Sequence, residues 1–339
     1  MDELQTKQLN NTAEAAQLLR AGEVIAFPTE TVYGLGADAT SDEAVSKIFA
    51  AKGRPGDNPL IVHIGAVEQL VTVVSDVSDT AQKLMDAFWP GPLTVILPKH
   101  ENLSELVTAG LDTVGVRMPS HPVALELLRT VQLPIAAPSA NVSGRPSPTR
   151  AAHVLDDLSG KIAGVLDGGA AEIGLESTVI DCSVTPPIIL RPGSVTRAQI
   201  EAVLGTVDVA RSDEVEAPKS PGMKYRHYAP RAPMFIVQGS EAFFRETIEA
   251  VRAEGQRMGI LVVEERAQTY EADVVVTCGT YKDAASIAKR LYDALREMDQ
   301  ADVDVIYCES FAETGDYEAI MNRLRKASGY RVIEEPRHE

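Results

Sequence analysis

The segment from Val24 to Ile64 contains two short apolar runs, with a helix and two polar loops between them. The runs Val24 to Phe27 and Leu60 to Ile64 have the length and composition of buried strands. A helix is predicted to begin at Ser41, which is a preferred N-cap residue. Because strands alternate with a helix over so few residues, the segment predicts an α/β protein, in which loops at strand ends hold small ligands.

The loops of this segment carry the side chains of a polar binding site. Thr31 lies in the first loop, Lys52 and Arg54 are predicted in the second loop, and His63 lies within the second strand. A hydroxyl, two cations and an imidazole suit a ligand that has both phosphate and polar parts. Each residue also has an ordinary structural interpretation, since an isolated charge is most often solvated and a strand histidine is most often a core residue.

The string GLGADA, Gly34 to Ala39, fits a loose form of the dinucleotide-binding glycine pattern. In that motif the glycines directly follow the strand, whereas six residues separate Phe27 from Gly34. The predicted helix also begins too late, at about Ser41, to hold a pyrophosphate at its N-terminus. The context therefore disfavours a nicotinamide or flavin site, and Gly34 and Gly36 are predicted to form a tight turn with positive φ. The sequence also lacks the G-x-x-x-x-G-K-[ST] phosphate loop.

The length of 339 residues predicts about two domains, and a hydrophobic content of 45% is typical of a globular protein. No apolar run approaches the roughly 18 residues of a membrane span, and the polar, acidic N-terminus does not have the pattern of a signal peptide. Three widely spaced cysteines, Cys182, Cys278 and Cys308, indicate a reducing cytosol and have no metal-binding spacing. We therefore expect a cytoplasmic protein with no membrane partner.

The formal net charge of −17 disfavours broad, nonspecific binding to nucleic acid, which depends on a cationic surface. It leaves room for a local basic cleft. An acidic protein that binds an anionic ligand must concentrate its cations, so the candidates are the cations in or beside loops: Lys52, Arg54, Arg117, Arg145 and Arg191.

The order of the predicted elements divides the chain into two domains and a linker. Residues 1–208 combine alternating strands and helices with several successive strands, which indicates a mixed sheet with helices packed on it. Residues 209–233 are rich in proline and have no regular hydrophobic period, which predicts a linker. Residues 234–339 alternate apolar strands with amphipathic helices, and this pattern predicts a small parallel three-layer domain.

The linker contains the string KYRHYAP, from Lys224 to Pro230, which is aromatic and basic. One interpretation is a loop that packs its aromatic side chains on a domain surface. The other is a lid over the active site, which is a common role of long ordered loops. On the second interpretation, Lys224 to Tyr228 folds over the ligand, and the C-terminal domain anchors the far end of the lid.

Three further regions place hydroxyls or cations where predicted strands meet loops. In VGVRMPSHP, Arg117 ends a strand before a proline turn. In PIAAPSANVSGRPSPT, Ser139 and Asn141 follow a strand and precede a loop rich in serine, proline and glycine. In GLESTVIDC, Ser177 lies at a strand start, and in ILRPGSV, Arg191 ends the next strand. Each motif alone is a weak signal, so only their combination points to a function.

Together these strings resemble the threonylcarbamoyl-AMP synthase family, of the YrdC/YwlC type. The matching strings span about residues 10 to 205 in order: FPTETVYGLG, KGRPGDNPL, VHI, WPGPLT, VGVRMP, APSANVSG, ESTV and LRPGS. The long form of the family adds a linker and a C-terminal Rossmann-like domain, and KYRHYAP followed by Pro233 to Arg337 is similar to that arrangement. The resemblance implies a YrdC-like mixed twisted sheet with helices, plus a smaller Rossmann-like three-layer α/β domain.

The resemblance also implies an activity, that of an L-threonylcarbamoyladenylate synthase, which is a nucleotidyltransferase. Such an enzyme makes threonylcarbamoyl-AMP and pyrophosphate from L-threonine, bicarbonate and ATP, with magnesium accompanying the ATP. The product passes to a tRNA threonylcarbamoyl transferase, which modifies an adenosine beside the anticodon. The implied location is the cytoplasm, and weak RNA binding through a basic cleft stays open.

Residues that match the family's motifs take on implied roles. The catalytic residues are Lys52, Arg54, Ser139 and Asn141. The L-threonine contacts are Thr31, His63, Arg117, Ala137 and Ser177. The ATP contacts are Arg54, Asn58, Thr113, Ser139, Ser147 and Arg191, with Tyr225 as the nearest match in the linker. No protein ligand is assigned to the metal.

Two other classes of function compete with this interpretation. One is a binding module that holds double-stranded RNA on a basic concave face, for which steeply salt-dependent RNA binding without ATP turnover would be the sign. The other is a carbamoyltransferase of the hydrogenase-maturation type. Those proteins carry zinc-finger regions, and this sequence lacks the cysteine pairs that such fingers need.

Overall fold

The computed structural model of the chain describes residues 5–210, 227–252 and 255–336. These residues form two compact units. The first unit contains, of the described residues, 5–143, 147–172 and 176–210. The second contains 144–146, 173–175 and the described residues from 227 onward.

Helices and strands alternate along most of the first unit. Its strands are β1 Lys7–Leu9, β2 Ile25–Phe27, β3 Gly34–Asp38, β4 Ile61–His63, β5 Leu93–Pro98, β6 Thr113–Arg117, β7 Ile135–Ala136, β8 Gly164–Leu166, β9 Thr178–Asp181, β10 Ile188–Arg191 and β11 Asp208–Val209. Its helices are α1 Thr12–Arg20, α2 Asp42–Lys52, α3 Asp79–Phe88, α4 Glu105–Thr108, α5 Pro122–Val131, α6 Ala151–Leu158 and α7 Arg197–Leu204.

The strands of the first unit form one mixed sheet in the order β1-β8-β2-β3-β7-β4-β6-β5-β9-β10-β11. At its centre, β4 runs parallel to β6 and antiparallel to β7. Adjacent residues of one strand belong to different buried clusters, as Ala136 and Ile135 do, because side chains alternate between the two faces of a sheet. The sheet is therefore packed on both faces, and the predicted mixed α/β fold is confirmed.

Helix α2 places Lys52 differently from the sequence-based expectation. Ser41 is the N-cap, and its Oγ accepts the N–H of Ala44 at 3.2 Å. The helix continues to Lys52, and Gly53 ends it with a left-handed φ of 59°. The prediction that Lys52 lies in the loop with Arg54 was wrong, because strong helix formers extend α2 to the first glycine.

The GLGADA string is mostly a strand rather than the predicted turn. Residues Gly34–Asp38 form β3, which pairs antiparallel with β2, and neither Gly34 nor Gly36 has a positive φ. A Cβ on Gly36 would lie 2.8 Å from the Phe27 ring and 2.9 Å from the side chain of Ile135. The prediction of a positive-φ turn was therefore wrong, because close packing and a tight turn select the same residue.

The second unit is a smaller α/β domain. Its strands are β12 Met234–Gln238, β13 Met258–Val262, β14 Val274–Thr277, β15 Val305–Glu309 and β16 Val332–Glu334. Its helices are α8 Glu241–Arg252, α9 Ala284–Gln300 and α10 Glu318–Ser328. The strands lie in the order β14-β13-β15-β12-β16, and every neighbouring pair is parallel. The predicted parallel sheet of this domain is confirmed.

The second unit also contains the end of the KYRHYAP string. Tyr228 is buried there with a φ of 64°, and its ring centroid lies 5.2 Å from that of Tyr292. The guanidinium of Arg323 lies 5.7 Å from the same ring centroid. Tyr225 and the rest of the predicted lid before His227 lie outside the described residues, so the lid stays a prediction.

Arg145, one of the candidate loop cations, also belongs to the second unit. Its Nη2 lies 3.5 Å from Asp299 Oδ2, and the carbonyl of the next residue, Pro146, accepts a hydrogen bond of 2.6 Å from Arg296. Arg145 is thus paired within its own unit.

Candidate functional site

The centre of the first sheet brings several predicted threonine contacts together. His63 ends β4 and lies opposite both Arg117 of β6 and Ile135 of β7. Ala137 follows β7, and its N–H donates to the carbonyl of Ile61 at 2.8 Å. Three adjacent strands therefore place His63 beside Arg117, with Ala137 opposite Ile61, two residues from His63 along β4.

Arg117 is buried, and three groups hold its guanidinium. Its Nε donates to the carbonyl of Gly91 at 3.2 Å, and its Nη1 donates to Thr31 Oγ1 at 2.8 Å. Its Nη2 lies 2.6 Å from Glu30 Oε1. Two predicted threonine contacts, Thr31 and Arg117, are thus in direct contact, and a buried carboxylate balances the charge of the guanidinium.

Thr29 shapes the loop that carries Glu30 and Thr31. Its Oγ1 donates to the carbonyl of Val32 at 2.6 Å and accepts the N–H groups of Thr31 and Val32, each at 3.2 Å. A hydroxyl that bonds to its own backbone in this way fixes a turn without a sheet ladder. The sequence PTET therefore turns the chain after β2 so that the side chains of Glu30 and Thr31 both reach Arg117.

The ionisation states of this cluster follow from burial and from the Arg117 charge. Burial raises the pKa of Glu30, but the Arg117 charge and hydrogen bonds outweigh burial, and the pKa lies below its ordinary value. Burial, and then the Arg117 charge, lower the pKa of His63 to about 3. His63 is thus neutral at neutral pH. Its Nδ1 lies 3.3 Å from the carbonyl of Ile61, which favours a proton on Nδ1 and leaves Nε2 as an acceptor.

Ser177 and Arg191 meet where β9 begins and β10 ends. Ser177 Oγ lies 2.8 Å from Thr94 Oγ1, and Arg191 donates to the Ser177 carbonyl at 3.1 Å and to its Oγ at 3.2 Å. Gly193 permits this approach, since a Cβ there would lie 2.3 Å from the N of Thr178. Arg191, a predicted nucleotide contact, is therefore hydrogen-bonded to the hydroxyl of Ser177, a predicted threonine contact.

Lys52 is buried, and it contacts the backbone of the loop that follows β7. Its Nζ donates to the carbonyls of Ser139 at 2.5 Å and Asn141 at 2.7 Å. Its own carbonyl accepts the N–H of Ser143 at 2.9 Å. Burial, and then the charge of Arg54, hold the pKa of Lys52 well below its usual range. Of the four residues implied as catalytic, Lys52 is hydrogen-bonded to the backbone of Ser139 and Asn141. Arg54, the fourth, follows Lys52 by two residues in the sequence.

Arg54 lies in the loop after α2, and it is only half-buried. Its Nη2 donates to the carbonyls of Asn58 at 3.0 Å and Pro59 at 3.4 Å. This contact closes the loop just before β4 and sets Arg54 beside Asn58, another predicted nucleotide contact.

Two predicted contacts lie at opposite ends of strand β6: Thr113 begins the strand and Arg117 ends it. Both residues lie on the same face, since Val114 and Val116 between them pack in the core. Four residues of strand span about 13 Å. Asn58 precedes β4, which runs parallel to β6, so it lies at the Thr113 end.

The remaining predicted nucleotide contacts are Ser139, Ser147 and Arg191. Ser147 is fully buried, and its Oγ donates to Glu176 Oε1 at 2.5 Å, next in sequence to Ser177. The strand register places Ser177 near the end of β6 that carries Arg117. Arg54, Asn58 and Thr113 thus lie toward one end of β6 and Arg191 toward the other. The segments of Ser139 and Ser147 meet at Tyr33, whose carbonyl accepts the N–H of Ala140 and whose N–H donates to the carbonyl of Pro148, each at 2.8 Å. Tyr225 lies outside the described residues.

Besides Thr29, three buried residues of this site are not among the predicted ones. They are Glu30, Thr94 and Glu176, which contact Arg117, Ser177 and Ser147 respectively. The two acids had a signal in the sequence, because a carboxylate inside a motif flanked by apolar residues is seldom buried without a partner. Thr94 carries no such signal, since threonine is an ordinary strand residue.

A metal centre is not formed by the described part of the chain, where no group of three or more histidine, cysteine, aspartate or glutamate side chains could hold an ion. Within the same ranges, no helix has the length and apolar character needed to cross a bilayer. The three cysteines are free and buried.

The fold and the site define a YrdC-like α/β protein whose buried cations and hydroxyls converge on one sheet. Residues 17–193 match the family model Sua5_yciO_yrdC, described as telomere recombination, and residues 195–329 match the threonylcarbamoyl-AMP synthase C-terminal domain. The chain belongs to the threonylcarbamoyl-AMP synthase family, and it is an enzyme of the nucleotidyltransferase type. The family predicted from the sequence motifs is confirmed.

Relatives with this name are similar over nearly the whole chain. Threonylcarbamoyl-AMP synthase of Bacillus subtilis is 55% identical over 335 residues, which cover 98% of this chain and 96% of the relative. The synthase of Pyrococcus abyssi is 49% identical over 94% of each chain. The solved structure of P. abyssi Sua5 complexed with L-threonine has a TM-score of 0.92, with 46% identity over 98% of this chain and 99% of that one.

Proposed function

We propose that this enzyme condenses L-threonine, bicarbonate and ATP into threonylcarbamoyl-AMP and pyrophosphate. The observation that carries the proposal is the buried Arg117 guanidinium, held by Thr31 and Glu30 in register with a neutral His63. A guanidinium recognises a carboxylate by paired hydrogen bonds, and a hydroxyl and an imidazole suit the other polar groups of threonine. The P. abyssi relative, whose solved structure is described as a complex with L-threonine, supports the substrate.

The proposed chemistry proceeds in two steps. The amino group of threonine joins the bicarbonate carbon with loss of water, which yields a carbamate. A carbamate oxygen then attacks the α-phosphorus of ATP, and the bond to pyrophosphate breaks. Such a step depends on positioning and charge stabilisation more than on a protein nucleophile.

The roles that we assign to the cations follow from their burial. Arg54, which is half-buried, stabilises charge on the triphosphate, whereas Lys52 is fully enclosed and holds the loop of Ser139 and Asn141. Arg191 holds the Ser177 hydroxyl. Arg54 thus meets the phosphates, whereas Lys52 and Arg191 each fix a group that is predicted to contact a substrate.

Magnesium accompanies ATP in this proposal. The ion is commonly held by one or two carboxylates together with substrate phosphates, so the lack of a metal-binding cluster among the described residues fits an ion that arrives with the nucleotide. When bound, it neutralises charge on the triphosphate.

The test is the release of pyrophosphate from ATP by the purified protein. We expect release only when threonine and bicarbonate are both present, because the attacking group is the carbamate that the two form. Matched reactions that lack threonine, or that use buffer freed of bicarbonate, are the controls. Salt-dependent RNA binding with no pyrophosphate release under any of these conditions would instead favour the RNA-binding alternative.

Serine should be a better alternative substrate than 2-aminobutyrate. A site that bonds a substrate hydroxyl rejects an analogue without it by about 10⁴-fold, whereas loss of one methyl group costs about 10–200-fold. Thr31, His63 and Ser177 are the groups that we expect to recognise this hydroxyl. Competition between the two analogues, measured as product formed, checks the order, and a preference for 2-aminobutyrate would show that the hydroxyl is not recognised.

The proposal extends to the protein's surroundings. Three free, buried cysteines suit the reducing cytoplasm, which is the location that we propose. The product passes to a tRNA threonylcarbamoyl transferase, which places the threonylcarbamoyl group on an adenosine beside the anticodon. Weak RNA binding through a basic cleft is a further proposal, which a titration of the protein with tRNA at several salt concentrations tests.

A further inference from the structure

Glu30 is enclosed beside the proposed threonine site, and the sequence motifs assign it no role. The residue is 2% exposed, and its carboxylate faces Arg117, which is 4% exposed. The contact to Arg117 is an ion pair, in which Nη2 lies 2.6 Å from Glu30 Oε1. A charge this deeply enclosed needs such a partner to remain ionised.

The contacts of Arg117 fix the plane of its guanidinium. Nε points to the carbonyl of Gly91, Nη1 to the hydroxyl of Thr31, and Nη2 to Glu30. A guanidinium has five N–H groups, so one hydrogen on Nη1 and one on Nη2 remain beyond these contacts. Glu30 therefore occupies one direction of approach to Nη2, and the two N–H groups that remain are those that a second carboxylate would bind.

Of these three partners of Arg117, only Glu30 carries the opposite charge. The Gly91 carbonyl and the Thr31 hydroxyl are neutral acceptors, which hold a guanidinium less firmly than a carboxylate does. A long arginine side chain has many rotamers, and a fixed orientation lowers the entropy that is lost when a ligand binds.

We propose that Glu30 is the positioning residue of the amino-acid subsite: it orients Arg117 for a paired contact with the carboxylate of threonine. This inference rests on the proposed function, since it assumes that Arg117 binds that carboxylate. Glu30 also repels a substrate carboxylate from the edge of the guanidinium that it occupies, so the amino acid is directed to the remaining N–H groups.

The first test is Glu30→Gln, which keeps the shape of the side chain and removes its charge. We expect the KM for threonine to rise about 10-fold or more, while the KM for ATP changes less than about threefold, because the effect passes through Arg117 alone. Glu30→Asp keeps the charge at a shorter reach and should have an intermediate KM for threonine. Glu126→Gln on α5 is the matched control, since Glu126 is exposed, accepts a hydrogen bond from Thr12, and should leave both KM values unchanged.

A double-mutant cycle separates positioning from a general structural role. In an Arg117→Met background, Glu30→Gln should cause no further loss of threonine affinity, because the group that it orients is gone. Affinity is measured by calorimetry below the unfolding temperature of each variant. If Glu30→Gln folds poorly, Glu30→Asp in the two backgrounds gives the same comparison.

Two results would overturn the proposal. One is a Glu30→Gln variant whose KM for threonine stays within threefold of that of the unsubstituted enzyme. The other is a cycle in which Glu30→Gln weakens threonine binding by the same factor whether residue 117 is arginine or methionine. Failure of the proposed function looks different, because the unsubstituted enzyme would then release no threonine-dependent pyrophosphate at all.

Discussion

Lys52→Met is expected to lower both turnover and stability. Lys52 Nζ donates to the carbonyls of Ser139 and Asn141, and methionine would leave both buried acceptors without that donor. Each such loss costs about 1–3 kcal/mol in the free energy of unfolding. The freed loop carries Ser139 and Asn141, and a displacement of about 1 Å at a reacting centre can cost about 100-fold in rate. Denaturant unfolding and pyrophosphate release measure the two effects.

Lys47→Met is the matched control for this substitution. Lys47 lies on the same helix, and its Nζ pairs with Glu23 at 3.2 Å, with about a third of the side chain exposed. Exposed ion pairs contribute less than about 1 kcal/mol, so this variant should keep near-normal turnover and stability. Near-normal turnover in Lys52→Met as well would mean that the loop does not need its buried cation.

Arg54→Ala is expected to lower turnover by about 100-fold, with a much smaller loss of stability than Lys52→Met. Removal of one preorganised electrostatic group commonly costs 10² to 10³ in rate. Arg54 is half-buried and donates to the carbonyls of Asn58 and Pro59, which water can reach and bond in the variant. Single-turnover pyrophosphate release at saturating ATP isolates the chemical step.

Arg54→Lys and Arg197→Ala complete the comparison. Lysine keeps the charge but loses the fork of N–H groups, so Arg54→Lys should recover part of the rate. Arg197 lies on α7 and pairs with Glu201 at 2.8 Å on the surface, and its replacement should leave turnover unchanged. An Arg54→Ala enzyme that loses activity only in proportion to its loss of folded protein would contradict a direct role in catalysis.

Much of the site was predictable, because its residues lie where strands meet loops. Arg117 ends β6, Ser177 precedes β9 and Arg191 ends β10, and each of these positions follows from an apolar run beside a turn signal. Such local patterns also predicted the α/β class and the parallel second domain. The predicted roles of these residues stay predictions, which the substitutions above address.

Other features were not predictable, because they depend on partners distant in sequence. A glycine can be required by a tight turn or by close packing, and the sequence GLGADA does not distinguish the two. The ring of Phe27 against Gly36 shows that close packing is the reason here. Lys52 was predicted to lie in the loop with Arg54, and its burial depends on carbonyls 87 and 89 residues away. Glu30 lies in a recognisable motif, but its partner is 87 residues further along the chain.

The sequence by itself therefore determined the class of fold, the family and the set of polar residues, since these follow from hydrophobic periodicity and from local motifs. The tertiary structure alone decided which of those residues contact one another. Strand register set His63 beside Arg117, and the order of strands placed β7 and β6 on either side of β4. The physical reason is that the apolar pattern of a segment specifies its own buried face, whereas the segment that packs against that face lies far away in the sequence.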